Sequence, residues 1–200
     1  EAAGATYRTK ILFDTNQLLA QCKTNGEVLK VVANQVVLLL DRNVAIYPVD
    51  CQHIQNGYIY FKDDTCIGKS ADTIGEEEVI QWVLTNKKRA GATTKVFPNA
   101  KCLYLAIYID GTVYGIMGIY VEKKVLSAFE YSILLSILGE GAFALENLEN
   151  EKAKKEAALV AENEKLRANL LRTISHDLRT PLTAISGNAS NLCSHYKILD

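Results

Sequence analysis

The sequence is short of the features by which several protein classes are recognised. It has 3 prolines in 200 residues, too few for a collagen-like or proline-rich chain. Its 5 cysteines, Cys22, Cys51, Cys66, Cys102 and Cys193, form no C-x-x-C pair and are odd in number. Neither a zinc site nor a secreted disulfide framework is indicated, and reduced cytosolic thiols are expected. An excess of one charge is also lacking: the formal net charge is -1, and no stretch clusters Lys and Arg without intervening acids. That excludes the electrostatic footprint of a nucleic-acid or anionic-lipid binder. No uninterrupted apolar run approaches the ~20 residues of a membrane-spanning helix. The strongest candidate, Tyr131 to Leu145, is broken by Gly139, Glu140 and Gly141 and fits a buried helix better. There is no signal-peptide pattern, and the chain begins at Glu1 rather than Met, so an excised soluble piece is expected.

What is present reads as globular. Apolar residues make up 48% of the chain and charged residues 22%, enough to bury a core. The length suits one domain with extra helix, or two small domains. Apolar spacing predicts a helix over Thr6 to Ala20, an interruption at Asn25-Gly26, and a second helix from Glu27. The second carries a stripe of Val28, Val31, Val32, Gln35, Val36, Leu39 and Leu40 suited to packing on a sheet. Strands are expected at Val44 to Val49, with Pro48 placing its end near an edge, and at Tyr58 to Phe61 after the turn signal Asn56-Gly57.

Gly75 to Asn86 reads as a helix, with Glu76, Glu77 and Glu78 at its start, Lys87, Lys88 and Arg89 at its end, and Gly91 as a nearby terminator. The clearest local signal is a β-hairpin, Cys102 to Ile109 and Thr112 to Tyr120 joined by Asp110-Gly111, a dipeptide tolerant of a type I′ turn. Unbroken alternation would put Leu103, Leu105 and Ile107 on one face with Tyr114 and Ile116. Tyr104, Ala106 and Tyr108 would share the other with Val113 and Met117. Both faces are apolar, so both should be covered.

From Ser127 the chain reads as continuous helix to at least Thr180. The sheet domain is expected to occupy residues 1–144, followed by a helical linker over 145–168 and a further helical segment over 169–200. Within the linker, Leu145, Leu148, Leu159 and Leu166 keep heptad spacing, with Lys152, Lys155, Glu162 and Asn169 in the other seam positions. Such a seam suits a weak parallel dimer; a single solvated helix is the other reading.

The order of two helices, an antiparallel sheet with an inserted helix, and a long exit helix is α+β and looks like a GAF domain. Trp82 followed by Arg89-Ala90-Gly91, Thr93-Thr94, Pro98 and Tyr104-Leu105 resembles the GAF-like domain of KdpD-type potassium-responsive sensor kinases. The resemblance implies a GAF-like antiparallel sheet flanked by helices, followed by a long C-terminal signalling helix. It also makes Trp82, Arg89, Thr93 and Tyr104 candidates for lining a small-molecule pocket. Trp82 and Tyr104 also read as ordinary core.

The run Leu170 to Ile185, centred on Ser175-His176-Asp177-Leu178-Arg179-Thr180-Pro181, resembles the H-box of histidine-kinase dimerisation and phosphotransfer domains. At ~100° per residue, Leu170, Ile174, Leu178, Leu182 and Ile185 fall within an arc of roughly 120°, and His176 lies opposite its middle. A phosphoryl group must reach and leave such an imidazole from separate domains, so exposure is required. The resemblance makes His176 the phosphoacceptor and Asp177 the carboxylate that fixes its tautomer and stabilises the imidazolium. Thr180 would position water for dephosphorylating the regulator, and Pro181, unable to donate to the Asp177 carbonyl, would bend the helix. Asp177 as a solvated helix acid remains the alternative.

No glycine-rich ATP lid occurs before Asp200, so autonomous kinase activity is not expected and no cofactor is expected within the chain. ATP and Mg would serve an intact kinase. The partners implied are a second copy joined through the linker and H-box helix, a response-regulator receiver domain and the missing ATP-binding domain. No nucleic acid is expected, and a membrane only through upstream segments, as for the cytoplasmic portion of an inner-membrane protein. The competing readings are a small-molecule-binding GAF regulatory module with no catalytic role, and a purely dimerising connector. His53 and His195 show no partners in the sequence.

Overall fold

The computed structural model describes residues 2–61, 76–121 and 125–196; Cys66 and the expected helix start at Gly75 lie outside them. The chain divides into two compact units, Glu1–Asn150 and Glu151–Asp200. In the first, helices α1 (Ala2–Leu19) and α2 (Asn25–Leu40) precede strands β1 (Val44–Asp50), β2 (His53–Ile54) and β3 (Tyr58–Tyr60). Helix α3 (Glu77–Asn86), strands β4 (Ala90–Gly91), β5 (Cys102–Ile109) and β6 (Thr112–Tyr120), and helix α4 (Ala128–Tyr196) follow. Among the described residues the six strands make one antiparallel sheet in the order β2-β1-β6-β5-β4, with β3 beside β1.

Local chemistry sets the helix ends. Thr24, rather than Asn25-Gly26, marks the break before α2: its Oγ1 accepts the Glu27 N–H at 3.3 Å, and the Glu27 carboxylate accepts the Lys23 N–H at 2.6 Å. Asn25 and Gly26 are the first helical residues. At α4, the Ser127 hydroxyl and the Glu130 carboxylate accept each other's backbone N–H, at 3.2 and 2.7 Å, a capping box. Helix α3 ends on Lys87 in the left-handed region, its N–H bonded to the Val83 carbonyl. Gly91 is therefore not its terminator. Gly91 belongs to β4, at φ +97, and a Cβ there would meet the Cys102 carbonyl oxygen at 2.2 Å.

Strand β1 runs between β6 and the β2/β3 segment, so Pro48 is not at an edge. Its carbonyl accepts the Gln55 N–H at 2.8 Å. The register of β1 slips by one residue between Val49↔Ile54 and Ile46↔Tyr58, so Asn56-Gly57 sits in a bulge. The chain instead turns at Cys51 and Gln52, with φ of 47° and 64°. The Asp110-Gly111 hairpin has the expected bounds and positive φ at both turn residues. A bulge past Ile107 then leaves Tyr114 unpaired and inverts the faces beyond it. Met117 pairs with Leu105, and Ile116 with Ala106, the reverse of unbroken alternation.

Both sheet faces are covered. One packs Val44, Ile46, Leu103, Leu105, Ile107, Met117 and Ile119 against α1, α2 and α4. The other packs Ala45, Tyr47, Tyr104 and Ile116 against Val79, Ile80, Val83 and Leu84 of α3. Helix α2 buries Val28, Leu29, Val32, Ala33, Val36, Val37 and Leu40. Val31 and Leu39 are only partly buried, and Gln35 is shared with Thr15 of α1. The buried stripe is thus rotated from the one expected, because α1 takes one flank.

Helix α4 contributes Ile133, Leu134, Ile137, Leu138, Ala142 and Leu145, all buried. Full burial of a large aliphatic side chain stabilises by ~1.5–3 kcal/mol, which holds this stretch of α4 on the sheet. Leu145 is fully buried and Leu148 packs against the same core, so neither is free to open a dimer seam as expected. Among the described residues this helix is long and apolar enough to cross a membrane by length and composition alone. Its inward residues, however, are those that cover the sheet. In the second unit α4 continues through Pro181, and every described residue from Glu151 to Ser194 is exposed.

Candidate phosphoacceptor surface and cleft

On the second unit, the motif residues lie along one turn of α4. The side chains of His176 and Asp177 are 80% and 72% exposed, with His176 Nδ1 3.4 Å from Asp177 Oδ1. The carboxylate stands on the Nδ1 side of the ring, so the Nε2 edge is the one turned away from it. Thr180 Oγ1, one turn on, lies 3.5 Å from the His176 carbonyl, so its hydroxyl occupies the same helix surface. Pro181 offers no N–H to the Asp177 carbonyl, yet the helix is continuous on both sides of it. Leu170, Ile174, Leu178, Leu182 and Ile185 are all exposed.

On the first unit, a cleft of about 1040 Å³ opens between α3 and the β2/β3 segment. Its lining includes Tyr47, Gln52, His53, Gln55, Gln81 and Trp82. Of the four residues expected around a pocket, Trp82 alone lines this one. Tyr104 is buried on β5, its hydroxyl donating to the Glu76 carboxylate, with its ring centroid 6.3 Å from that of Tyr47. Arg89 places its guanidinium 4.8 Å from the centre of the Tyr131 ring, and Thr93 is exposed in the turn after β4 at φ 67°. Burial, then the hydrogen bond to Glu76, pushes the Tyr104 phenol well above its ordinary range, so it stays a neutral donor.

Sequence reasoning passed over His53, which stands at this cleft with Nδ1 2.9 Å from the Cys51 carbonyl. The available signal was the concentration of amide side chains, Gln52, Gln55, Asn56, Gln81 and Asn86, around one short hairpin and one helix. Among the described residues no group of His, Cys, Asp or Glu is arranged to hold a metal ion.

Residues 166–199 match the family of the His Kinase A (phospho-acceptor) domain. The sensor protein KdpD of Clostridium acetobutylicum is 29% identical over 194 residues, covering 96% of this chain and 22% of the relative. Over nearly its whole length the chain is similar to this sensor protein. The sensor protein KdpD of Escherichia coli is 30% identical over 119 residues, covering 58% of this chain and 13% of that protein. The chain therefore spans about a fifth or less of the KdpD relatives it matches. The first unit has the GAF fold. It superposes on the GAF domain of the potassium sensor histidine kinase KdpD from E. coli with a TM-score of 0.57 at 16% identity, over 73% of this chain and 98% of that one. The GAF domain of an Acinetobacter phosphoenolpyruvate-protein phosphotransferase gives 0.53 at 12% identity, over 72% and 95%.

Proposed function

We propose that the chain is the sensory and phosphoacceptor portion of a two-component histidine kinase that responds to potassium or osmotic state. The observation that carries this reading is His176, exposed beside Asp177 within a stretch that matches a phospho-acceptor domain. In the reaction, His176 Nε2 attacks the γ-phosphorus of ATP supplied by a separate catalytic domain, whose bound magnesium offsets phosphate charge. The N–P bond forms as the bond to the ADP oxygen breaks. Asp177 holds the Nδ1 proton, stabilising the imidazolium until the phosphoryl group passes to an aspartate on a receiver domain. Thr180, on the same surface, orients water when the receiver is dephosphorylated. The parent would be an inner-membrane kinase with this portion in the cytoplasm.

The test supplies the chain with a histidine-kinase catalytic domain, labelled ATP and a receiver domain. Label should pass through the chain to the receiver, and His176→Gln should abolish that transfer. A second reading, a ligand-controlled regulatory module, is favoured by the cleft beside Trp82, where amide side chains stand among apolar ones. A small hydrogen-bonding molecule retained on purification would support it.

A further inference from the structure

Three irregularities of the backbone meet at a second cavity of the first unit, of about 460 Å³. It lies between the end of α3, the turn from β1 to β2, the hairpin of β5 and β6, and Glu149 of α4. Cys51 and Gln52 line it at φ of 47° and 64°, and Lys87 lines it from the end of α3 at φ 56°. Tyr114, the residue that the β6 bulge leaves unpaired, forms part of its wall. Left-handed backbone is unfavourable for residues with a Cβ, and bulges re-aim side chains. Such departures gather at binding sites, and here each places a polar side chain at the same cavity.

The charges around this cavity are opposite and apart. Lys87 is half-buried, its Nζ 3.6 Å from where a Cβ on Gly111 would stand. Asp50 and Glu149 line the same cavity. Both carboxylates reach Cys51, whose thiol is pushed up by the hydrogen bond and charge of Asp50, then by burial and by the charge of Glu149. Glu149 also faces Tyr114, whose phenol is raised by burial first and by that carboxylate next. Yet among the described residues neither carboxylate makes an ion pair with Lys87. Two negative groups gathered near Cys51 thus stand across open space from an ammonium.

We infer that this cavity takes a small zwitterion, an amino acid with its ammonium on Asp50 and Glu149 and its carboxylate on Lys87. A molecule bearing both charges bridges the gap that the protein's own side chains leave, and each end meets a charged hydrogen-bond partner. A simple anion would face two carboxylates, and a simple cation would leave Lys87 unanswered. Val49, Leu84 and Val113 add apolar surface for a short carbon chain, and the volume is in the range of small-molecule sites. Because Glu149 belongs to α4, a bound amino acid fastens that helix to the ends of α3 and β1. The site is separate from the cleft beside Trp82, although Gln52, Gln81 and Thr85 line both. It does not rest on the phosphoacceptor reading.

Isothermal titration calorimetry of the whole chain with each common amino acid tests the site, with n-butylamine and butyrate as single-charge probes. At least one amino acid should bind, and neither single-charge probe should match it. Lys87→Met and Glu149→Gln should each weaken that binding about tenfold or more. Lys87→Arg should keep most of it, and His53→Ala, in the neighbouring cleft, should leave it unchanged. The amino acid should also raise the melting temperature of the wild-type chain and not that of the two weakened variants. Should Lys87→Met fail to fold, Asp50→Asn, at an exposed position, reads the other end of the same ligand and should weaken binding likewise. Absence of binding by every amino acid up to about 10 mM overturns the inference. So does n-butylamine binding as tightly as any amino acid, which marks a plain cation site. Binding that yields to His53→Ala and not to Lys87→Met overturns it too, since the molecule then sits in the cleft.

Discussion

The Tyr104 hydroxyl donates to the carboxylate of Glu76, the residue that opens helix α3, and the same carboxylate accepts the Lys101 N–H. This pair ties the helix that walls the cleft to strand β5 of the sheet. Tyr104→Phe removes the donor and leaves the ring. A hydrogen bond to a charged group contributes about 1.5–3 kcal/mol, and equilibrium denaturation in urea should show a loss of that order.

Alkaline pH should loosen the same face. Burial first, then the nearby Glu76 charge, pushes the Cys102 thiol up from its ordinary value to about 12. Burial likewise raises the Tyr47 and Tyr104 phenols. These groups are neutral in the fold and ionise more readily when unfolded, so the unfolded state releases protons first. The stability they contribute is complete below about pH 9 and is lost as pH climbs from there toward 12. Melting temperatures measured between pH 7 and 11 should hold level at first and then fall. In the native state Cys102 should resist thiol reagents while exposed Cys51 and Cys193 react.

Gly141→Ala should destabilise the first unit, because the added methyl runs into the buried Val32 side chain. Overpacking of this kind costs about 1–3 kcal/mol. Val32→Ala makes room, so the double variant should recover part of the loss relative to the sum of the two single changes. Thermal melts of the four proteins form the cycle that measures it.

Trp82 is the chain's 1 tryptophan and lines the cleft, so its fluorescence reports occupancy directly. A ligand entering there should shift the emission, and His53→Ala or Gln81→Ala should weaken its binding. Arg89→Ala should leave binding unchanged, because Arg89 is engaged with the Tyr131 ring.

The order of the helices and longer strands, the Asp110-Gly111 hairpin and the exposed setting of His176 could be read from the sequence, since each depends on neighbours a few residues apart, whereas the two-residue strands β2 and β4 could not. What escaped it depended on contacts at longer range. The Tyr114 bulge inverted Ile116 and Met117, and nothing in an alternating apolar run marks where an extra residue falls. The turn at Cys51-Gln52 uses two residues outside the usual Gly and Asn set, whereas Asn56-Gly57 carried the usual signal and formed a bulge. Leu145 and Leu148 keep heptad spacing, but periodicity cannot tell a core stripe from a dimer seam. Arg89 and Tyr104 resembled pocket residues by position in a motif, while their partners, Tyr131 and Glu76, lie 42 and 28 residues away in sequence. The capping signals Thr24-Asn25-Gly26-Glu27 and Ser127-Ala128-Phe129-Glu130 mark the helix starts, and the first would have located the start of α2.

The position of the phosphate on the chain is the most direct check. With a histidine-kinase catalytic domain and ATP, mass spectrometry and phosphorus NMR should find an acid-labile phosphate on His176, attached at Nε2 because Asp177 faces Nδ1. Equal acid-labile labelling of the wild-type chain and His176→Gln would contradict the assignment.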